Sequence, residues 1–90
     1  MGNFLFVKYK KRTDQDNDTK IIVSLKVSKK AVDRNKIKRR IRETLRKVDI
    51  KKGIDLVVIT NKEILEKSFL EVQDALISNL TRLGLITRGL

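Results

Sequence analysis

The hydrophobic pattern changes its period twice between residues 20 and 60, and this change limits the folds open to the chain. Residues 20–27 carry apolar side chains at every second position, as in a strand with one buried face. Residues 33–48 carry them at helical spacing. Residues 54–60 form an unbroken apolar run, which is typical of an interior strand covered on both faces. The pattern therefore predicts a β-α-β unit.

Two further elements flank this unit. Residues 4–9 are rich in aromatic and β-branched side chains and predict another strand. A last helix is expected to begin at Asn61 or at Ser68, where Ser68 and Glu71 have the spacing of a capping box, and to end before Gly84. The residues expected to be buried are Ile21, Val23, Leu25 and Val27 in the second strand, Ile37, Ile41, Leu45 and Val48 in the central helix, and Phe69, Val72, Leu76, Leu80 and Leu83 in the last helix.

The element order strand, strand, helix, strand, helix predicts an α+β fold, with helices packed on a small sheet. We expect a single domain over residues 1–90, since a chain of this length forms one modest core. Asp33 is the expected N-cap of the central helix, and the tail to Leu90 is expected to fray. General experience with such units predicts a right-handed crossover.

Charge and composition narrow the function. The chain has a formal net charge of +11, and residues 26–47 hold eleven basic side chains against two acidic ones. It contains no His and no Cys, so the commonest general base, thiolate metal ligands and a cysteine nucleophile are excluded. A solvated helix face is the simplest explanation of such charges, but so large an imbalance destabilises a helix and favours a polyanionic partner.

The central helix orders its basic residues into two flanks. On a helical wheel, one flank lies beside the apolar stripe and carries Asn35, Arg39, Arg42 and Arg46 with Lys38 at its margin, and the other carries Lys36, Arg40 and Lys47. Guanidinium groups bind phosphate through two parallel hydrogen bonds, which ammonium groups cannot do. The arginine row therefore suggests contact with an RNA backbone.

Other functions receive less support. Asp14, Asp16 and Asp18 are spaced like the start of a calcium loop, but Thr19 and Leu25 stand where that loop needs Gly and Glu, so we expect a solvated hairpin loop. These carboxylates would be the metal ligands of an autonomous nuclease, which a mobile loop disfavours.

The chain shows neither an apolar run that could span a membrane nor a signal peptide, and a cytoplasmic location is expected. It also lacks the paired short helices of a helix-turn-helix protein and the aromatic stripe of a lipid-inserting helix.

The string from Ala31 to Glu43 resembles the signature of the bacterial ribonuclease P protein component. It matches that family at Arg34, Asn35, Lys38, Arg39, Arg42 and Glu43. The resemblance covers residues 4–86 and implies a β-α-β crossover of left-handed form, contrary to the general expectation. The RNA-binding residues we expect are Lys26, Lys30, Arg34, Asn35, Lys38, Arg39, Arg42 and Arg46.

The resemblance also implies a biochemical role. Members of the family are accessory subunits of an endoribonuclease that removes the 5′ leader from precursor tRNA, and the RNA subunit does the chemistry with Mg²⁺. The expected partners are ribonuclease P RNA and precursor tRNA, without a membrane or a small-molecule substrate, and no protein residue is expected to be catalytic or to bind the metal. A different RNA-binding module, such as a ribosome-associated protein without a nuclease role, is the alternative.

The resemblance is incomplete at the N-terminus. Family members begin with a helix and a short strand, which this chain is expected to lack, and that helix contributes aromatic residues to the leader cleft. The residues left for a leader site are Phe4, Phe6, Lys8 and Tyr9, because aromatic rings beside lysine can stack unpaired bases. A domain with four aromatic residues needs some of them inside, and we expect Phe4 and Phe6 in the core.

Overall fold

The elements follow one another as two strands, a helix, two strands, a 3-10 helix, a second helix and a last strand in a computed structural model, which describes residues 4–88 and the side chains of residues 4–86. Their bounds are β1 Leu5–Lys11, β2 Asp18–Ile22, α1 Ala31–Arg46, β3 Asp49–Ile50, β4 Ile54–Thr60, a 3-10 helix Lys62–Glu66, α2 Phe69–Arg82 and β5 Ile86–Arg88. Asn61 caps the 3-10 helix and Ser68 caps α2, so each of the two expected helix starts opens an element.

The main sheet has the order β1-β4-β2, with β4 in the centre. β1 pairs with β4 antiparallel, placing Val7 opposite Val58, and β2 pairs with β4 parallel, placing Ile21 opposite the same residue. β2, α1 and β4 therefore form the predicted β-α-β unit, and the α+β class is confirmed. The hand of the crossover stays a prediction.

The second strand is shorter than the alternation predicted. β2 ends at Ile22, whose carbonyl accepts a hydrogen bond from the Thr60 hydroxyl at 3.0 Å. Beyond it, the Ser24 hydroxyl and carbonyl accept hydrogen bonds from the backbone of residues 26 and 27, which folds the chain into a turn. Val27 is still buried there as predicted, whereas Leu25 is 66% exposed, so its predicted burial is wrong.

The two faces of the sheet differ in burial. Along β4, Ile54, Leu56, Val58 and Thr60 are buried, whereas the alternate residues from Asp55 to Ile59 are partly exposed. Both helices pack on the buried face, where Ile41, Leu76 and Leu80 join a single core. The prediction that β4 is covered on both faces is therefore wrong. We call the other side of the sheet, formed by Phe6, Lys8, Lys10, Lys20, Ile22, Asp55, Val57 and Ile59, the open face.

Helix termini follow the capping rules in two cases and depart from them in one. α2 begins with a complete capping box between Ser68 and Glu71. It ends at Arg82, with Leu83 as the C-cap, and is followed by Gly84, which has φ +70°, and by the buried Leu85. Asp33 is not the N-cap of α1, because the helix begins earlier, after Lys30. The Asp33 carboxylate lies in the first turn and accepts a hydrogen bond from the Ser28 hydroxyl at 3.0 Å.

A small second sheet was not foreseen. β3 pairs antiparallel with β5, and the backbone N–H of Lys51 donates to the carbonyl of Leu85 at 2.8 Å. The tail expected to fray is therefore paired as far as Arg88, and residues 89–90 lie outside the described part. Of the remaining expected core residues, Leu45 and Leu83 are partly buried against the core. Phe69 is half-buried, with the Lys47 ammonium 5.8 Å from its ring centre.

Candidate RNA-binding surface

The arginine row predicted on α1 lies on the solvent side of the helix. Ile37, Ile41 and Thr44 are buried against the sheet. Asn35, Arg39, Arg42 and Arg46 are all exposed on the neighbouring flank. With a helical rise of about 1.5 Å per residue, the four side chains extend over about 16 Å. The helix thus presents a straight row of polar groups that are free to meet a partner.

No carboxylate of the described residues neutralises this row. The salt bridges recorded between residues 4 and 86 both involve Arg12, which is not part of α1. Glu43 lies four residues after Arg39 and three before Arg46, so it borders the row, but no salt bridge or hydrogen bond of its carboxylate with these arginines is recorded. The positive charge of the row therefore remains available for phosphate groups.

The other predicted RNA-binding residues lie around the start of α1. Lys26 and Lys30 are exposed in the segment that leads into the helix, and Lys38 is half-buried at the margin of the row. Arg34 lies on the core side of the wheel, where its guanidinium donates to the carbonyl of Ser28 at 2.8 Å. Arg34 therefore holds the entry loop against the first turn of the helix, and only part of its guanidinium faces outward.

Phe4 is largely buried. Its side chain is 4% exposed and joins the core, as the sequence argument for burial predicted. The ammonium group of Lys67 lies 5.4 Å from the centre of its ring, which covers the outer side. The ring therefore offers little surface for stacking, although Phe4 lines a cavity together with Phe6 and residues of α2.

Phe6 and Lys8 lie together on the open face. Phe6 is 47% exposed, so its predicted burial is wrong, and it pairs with Ile59 beside Ile22. Lys8 pairs with Val57, which has Lys20 on its other side. The sequence argument missed Lys20 and the apolar side chains of β4 here. The alternation in β2 places Lys20 on the side opposite its buried residues. The apolar run of β4 shows no such alternation, so the sequence did not indicate which face of the sheet is exposed.

Tyr9 lies on the opposite side of β1 from Phe6 and Lys8, because successive residues of a strand point to opposite faces. Its partner in the register is the buried Leu56, yet Tyr9 itself is 44% exposed at the end of the sheet. Of the four leader candidates, Phe4 is in the core, and Phe6 and Lys8 share the open face. Tyr9 also lines a cavity together with Lys8 and Lys20, so the leader assignment of these residues stays a prediction.

The acidic loop is tied to the sheet by Arg12. The guanidinium binds both carboxylate oxygens of Asp14, at 2.8 and 3.2 Å, and one oxygen of Asp55 at 2.6 Å. The hydrogen bonds from Arg12 hold the pKa of the Asp14 carboxyl below its usual value. Among the residues that the structure describes, no group of three or more His, Cys, Asp and Glu side chains could hold a metal ion. Arg12 therefore clamps the loop to the sheet through Asp14 and Asp55.

Comparisons with known proteins agree with this geometry. The family model described as Ribonuclease P matches residues 1–84. The ribonuclease P protein component of Thermus scotoductus is 42% identical over 85 residues, which cover 94% of this chain and 50% of that protein. The chain spans about half the length of the curated relatives it matches.

Solved structures show the same fold. The RNase P protein of Staphylococcus aureus has a TM-score of 0.83 at 28% identity, covering 97% of this chain and 81% of that one. The RNase P protein of Thermotoga maritima, solved in complex with 1-(4-fluorophenyl)-2-thiourea, has a TM-score of 0.77 at 34% identity, covering 91% and 81%. No helix in the described part of the chain is long and apolar enough to cross a membrane. The chain belongs to the ribonuclease P protein component family.

Proposed function

We propose that this chain is the protein subunit of ribonuclease P and assists removal of the 5′ leader from precursor tRNA. Its partners are then ribonuclease P RNA, which α1 binds, and precursor tRNA. The observation that carries the proposal is the exposed row of Asn35, Arg39, Arg42 and Arg46, which has no carboxylate partner among the described residues. Family membership, together with this row, favours the RNA of the same ribonucleoprotein over ribosomal RNA.

The row suits an RNA backbone for electrostatic reasons. Each guanidinium that meets a phosphate releases condensed counterions, and this release supplies much of the affinity of proteins for nucleic acids. The row is held straight because Ile37 and Ile41 anchor the opposite side of α1 in the core. An ordered row loses less side-chain entropy on binding than a set of mobile lysines, so it favours a folded RNA with phosphates in fixed positions.

The open face is the proposed site for the leader. Phe6 offers a half-exposed ring beside Ile59 of β4. Val57, the preceding residue of β4 on this face, lies between Lys8 and Lys20. An aromatic ring beside lysines can stack an unpaired base while its phosphates contact the ammonium groups. This surface is separate from the arginine row, since α1 packs on the other face of the sheet.

The chemistry is proposed to reside in the RNA subunit with Mg²⁺. The carboxylates of Asp14 and Asp55 are engaged by Arg12, and the described residues offer no cluster that fits a protein-held metal. Mg²⁺ would be bound mainly by the RNA subunit and would supply the chemistry of cleavage there. The residues of this chain would hold and orient the RNAs, and the absence of His and Cys is compatible with work in the reducing cytoplasm.

A salt titration tests the arginine row. Arg39→Ala and Arg42→Ala should each weaken binding to ribonuclease P RNA and lower the slope of log affinity against log salt concentration by roughly one. Filter binding or anisotropy at several salt concentrations measures both quantities. Lys62→Ala is the matched control, because Lys62 is an exposed cation outside both proposed surfaces. An unchanged slope in the arginine variants would remove the proposed phosphate contacts.

Reconstitution tests the function itself. The protein is mixed with ribonuclease P RNA and precursor tRNA at low Mg²⁺, and 5′ processing is expected to increase, whereas the protein alone should not cleave. Retention of ribosomal RNA without any effect on processing would favour the ribosome-associated alternative. Cleavage by the protein alone that disappears in Asp16→Ala would overturn the accessory role.

A further inference from the structure

Ser28 lies at the centre of the hydrogen bonds that join the entry loop, residues 24–30, to the start of α1. Its hydroxyl accepts from the backbone N–H of Lys30 at 3.1 Å and donates to the Asp33 carboxylate at 3.0 Å. Its carbonyl accepts from the Arg34 guanidinium at 2.8 Å. Lys30, the N-cap of α1, makes no side-chain capping bond. Ser28 therefore ties the loop to the helix from a position outside it.

The residue before Ser28 anchors the entry loop in the core. Val27 is 2% exposed, and its backbone N–H donates to the carbonyl of Ser24 at 3.0 Å. Ser28 itself is half-buried. Its position is set by a buried neighbour on one side and by the first turn of α1 on the other. The hydroxyl is therefore held beside Asp33 before any partner binds.

Asp33 is the one acidic residue in a strongly basic part of the chain. Residues 19–42 contain ten lysine and arginine side chains and no other carboxylate. Lys36 lies three residues after Asp33, a spacing at which side chains of a helix can meet, and Lys29 and Lys30 lie just before the helix. Yet the salt bridges recorded in the described part of the chain do not include Asp33. The uncharged hydroxyl of Ser28 engages this carboxylate instead.

The Ser28 hydroxyl has one proton to donate, and Asp33 receives it. No proton of this hydroxyl is left for a phosphate group, so an effect of Ser28 on RNA has to pass through Asp33. A hydroxyl that donates to a carboxylate forms a charge-assisted hydrogen bond, which is stronger than a bond between neutral groups. While this bond is present, the carboxylate competes less for the cations around it.

We propose that Ser28 is a positioning residue for the RNA-binding surface: it holds the Asp33 carboxylate, so that the cations around the start of α1 remain available for RNA phosphates. Without the hydroxyl, the carboxylate is free to pair with Lys29, Lys30 or Lys36, and one phosphate contact is lost. The inference rests on the proposed function, because it explains how this chain keeps its RNA-binding surface charged.

Three variants at two serines test the proposal, through RNA binding at several salt concentrations. Ser28→Ala should bind ribonuclease P RNA about five- to tenfold more weakly at about 0.1 M salt and lower the salt slope by roughly one, as expected for one lost phosphate contact. Ser28→Thr keeps the hydroxyl and should bind as the parent does. Ser24→Ala is the matched control and should leave the slope unchanged. The Ser24 hydroxyl accepts from the backbone N–H of Lys26 at 3.3 Å, but it has no recorded carboxylate partner.

A second substitution at Asp33 separates this role from a purely structural one. Asp33→Asn removes the charge that Ser28→Ala sets free, so in that background it should restore the salt slope. It should also raise the affinity of Ser28→Ala at least about threefold more than it raises the affinity of the parent, because in the parent the hydroxyl already holds the carboxylate. A loss of stability alone would not produce this coupling.

Circular dichroism gives a temperature at which the variants are folded, and binding is compared there. If Ser28→Ala does not fold, Ser28→Cys takes its place with the same expected direction, since a thiol is a weak donor of similar size. A salt slope like that of the parent in the folded variant, or equal effects of Asp33→Asn in the two backgrounds, would overturn this inference and leave the proposed function standing. Failure of the parent itself to bind the RNA would overturn both.

Discussion

At the scale of single residues, Arg12 organises more of the molecule than its place in a polar loop suggests. Its guanidinium joins Asp14 in the loop to Asp55 in β4, and its backbone N–H reaches Gly53. Gly53 has φ +77°, a conformation that side chains other than glycine rarely adopt. A Cβ atom on Gly53 would lie 2.9 Å from the backbone oxygen of Asp14. The loop can dock this closely only because residue 53 is glycine.

Gly53→Ala is therefore expected to destabilise the protein by more than about 2 kcal/mol, because backbone strain and a contact with rigid backbone add together. Gly84→Ala is the matched control. Gly84 has φ +70°, but a Cβ atom there would meet nothing within 4 Å, so only the strain of about 1 kcal/mol is expected. Urea unfolding followed by circular dichroism measures both. Equal losses for the two variants would show that the loop is not docked against Gly53.

At the scale of elements, the capping box of α2 is a sequence signal with a measurable electrostatic effect. The Ser68 hydroxyl accepts from the backbone N–H of Glu71 at 3.2 Å, and the Glu71 carboxylate accepts from the N–H of Ser68 at 3.1 Å. These hydrogen bonds from Ser68 lower the pKa of Glu71 from its ordinary value of 4.5. The carboxylate therefore favours the helix only while it is ionised.

Ser68→Ala should destabilise the protein by about 1 kcal/mol. It should raise the pKa of Glu71 only in part, as followed by a ¹³C NMR titration of its carboxyl group, because the backbone N–H of residue 68, the larger cause of the low pKa, remains. Because the folded pKa is the lower one, the contribution of Glu71 to stability is present above pH 4.5 and is lost as the pH falls through the folded pKa. Glu71→Gln should remove this part of the pH dependence. A Glu71 pKa that rises all the way to 4.5 in Ser68→Ala would contradict the leading role of the backbone N–H.

The elements also show where sequence reasoning succeeds and where it stops. Local signals such as the apolar stripe of α1 and the glycine after α2 predicted burial and termination, because each depends on neighbours along the chain. The end of β2 depends on Thr60, which is 38 residues away from Ile22, and the pairing of β3 with β5 joins Asp49 to Arg88. Contacts between residues so far apart in the sequence produce no hydrophobic period within a short segment. The sequence therefore predicted too long a β2 and did not predict the sheet of β3 and β5.

The candidate site divides in the same way. The helical wheel correctly predicted that Arg39 and Arg42 are exposed, since the position of the buried stripe determines which residues of the helix face the solvent. Alternation alone puts Phe6 and Tyr9 on opposite faces of β1, but it does not show which face is covered, because that is set by where α2 packs. Arg34 was expected to bind RNA because it matches the family signature, but its position on the core side of α1 turns it toward Ser28.

At the scale of the whole molecule, the same charges act in opposite directions on stability and on binding. The net charge of +11 is concentrated in α1 and the segment before it, within a molecule whose radius of gyration is 12.8 Å. The Debye length falls from about 30 Å at 0.01 M salt to about 10 Å at 0.1 M, so this change screens repulsion across the molecule. Repulsion among uncompensated cations opposes folding, whereas the two surface salt bridges of Arg12 contribute little.

Raising NaCl from about 0.01 to 0.1 M should therefore increase the melting temperature of the free protein by about 4–8 °C, which corresponds to about 1 kcal/mol in a domain of this size. The same change should weaken RNA binding about a hundredfold or more, because three arginines of the row each release counterions.

Arg39→Gln combined with Arg42→Gln should have a higher melting temperature than the parent at low salt, and this temperature should respond less to added salt. Since this double variant should also bind RNA more weakly, stability and affinity are expected to move in opposite directions through the same two side chains. A melting temperature that falls with salt in both proteins would show that attractive pairs, and not the arginine row, dominate the electrostatics of the fold.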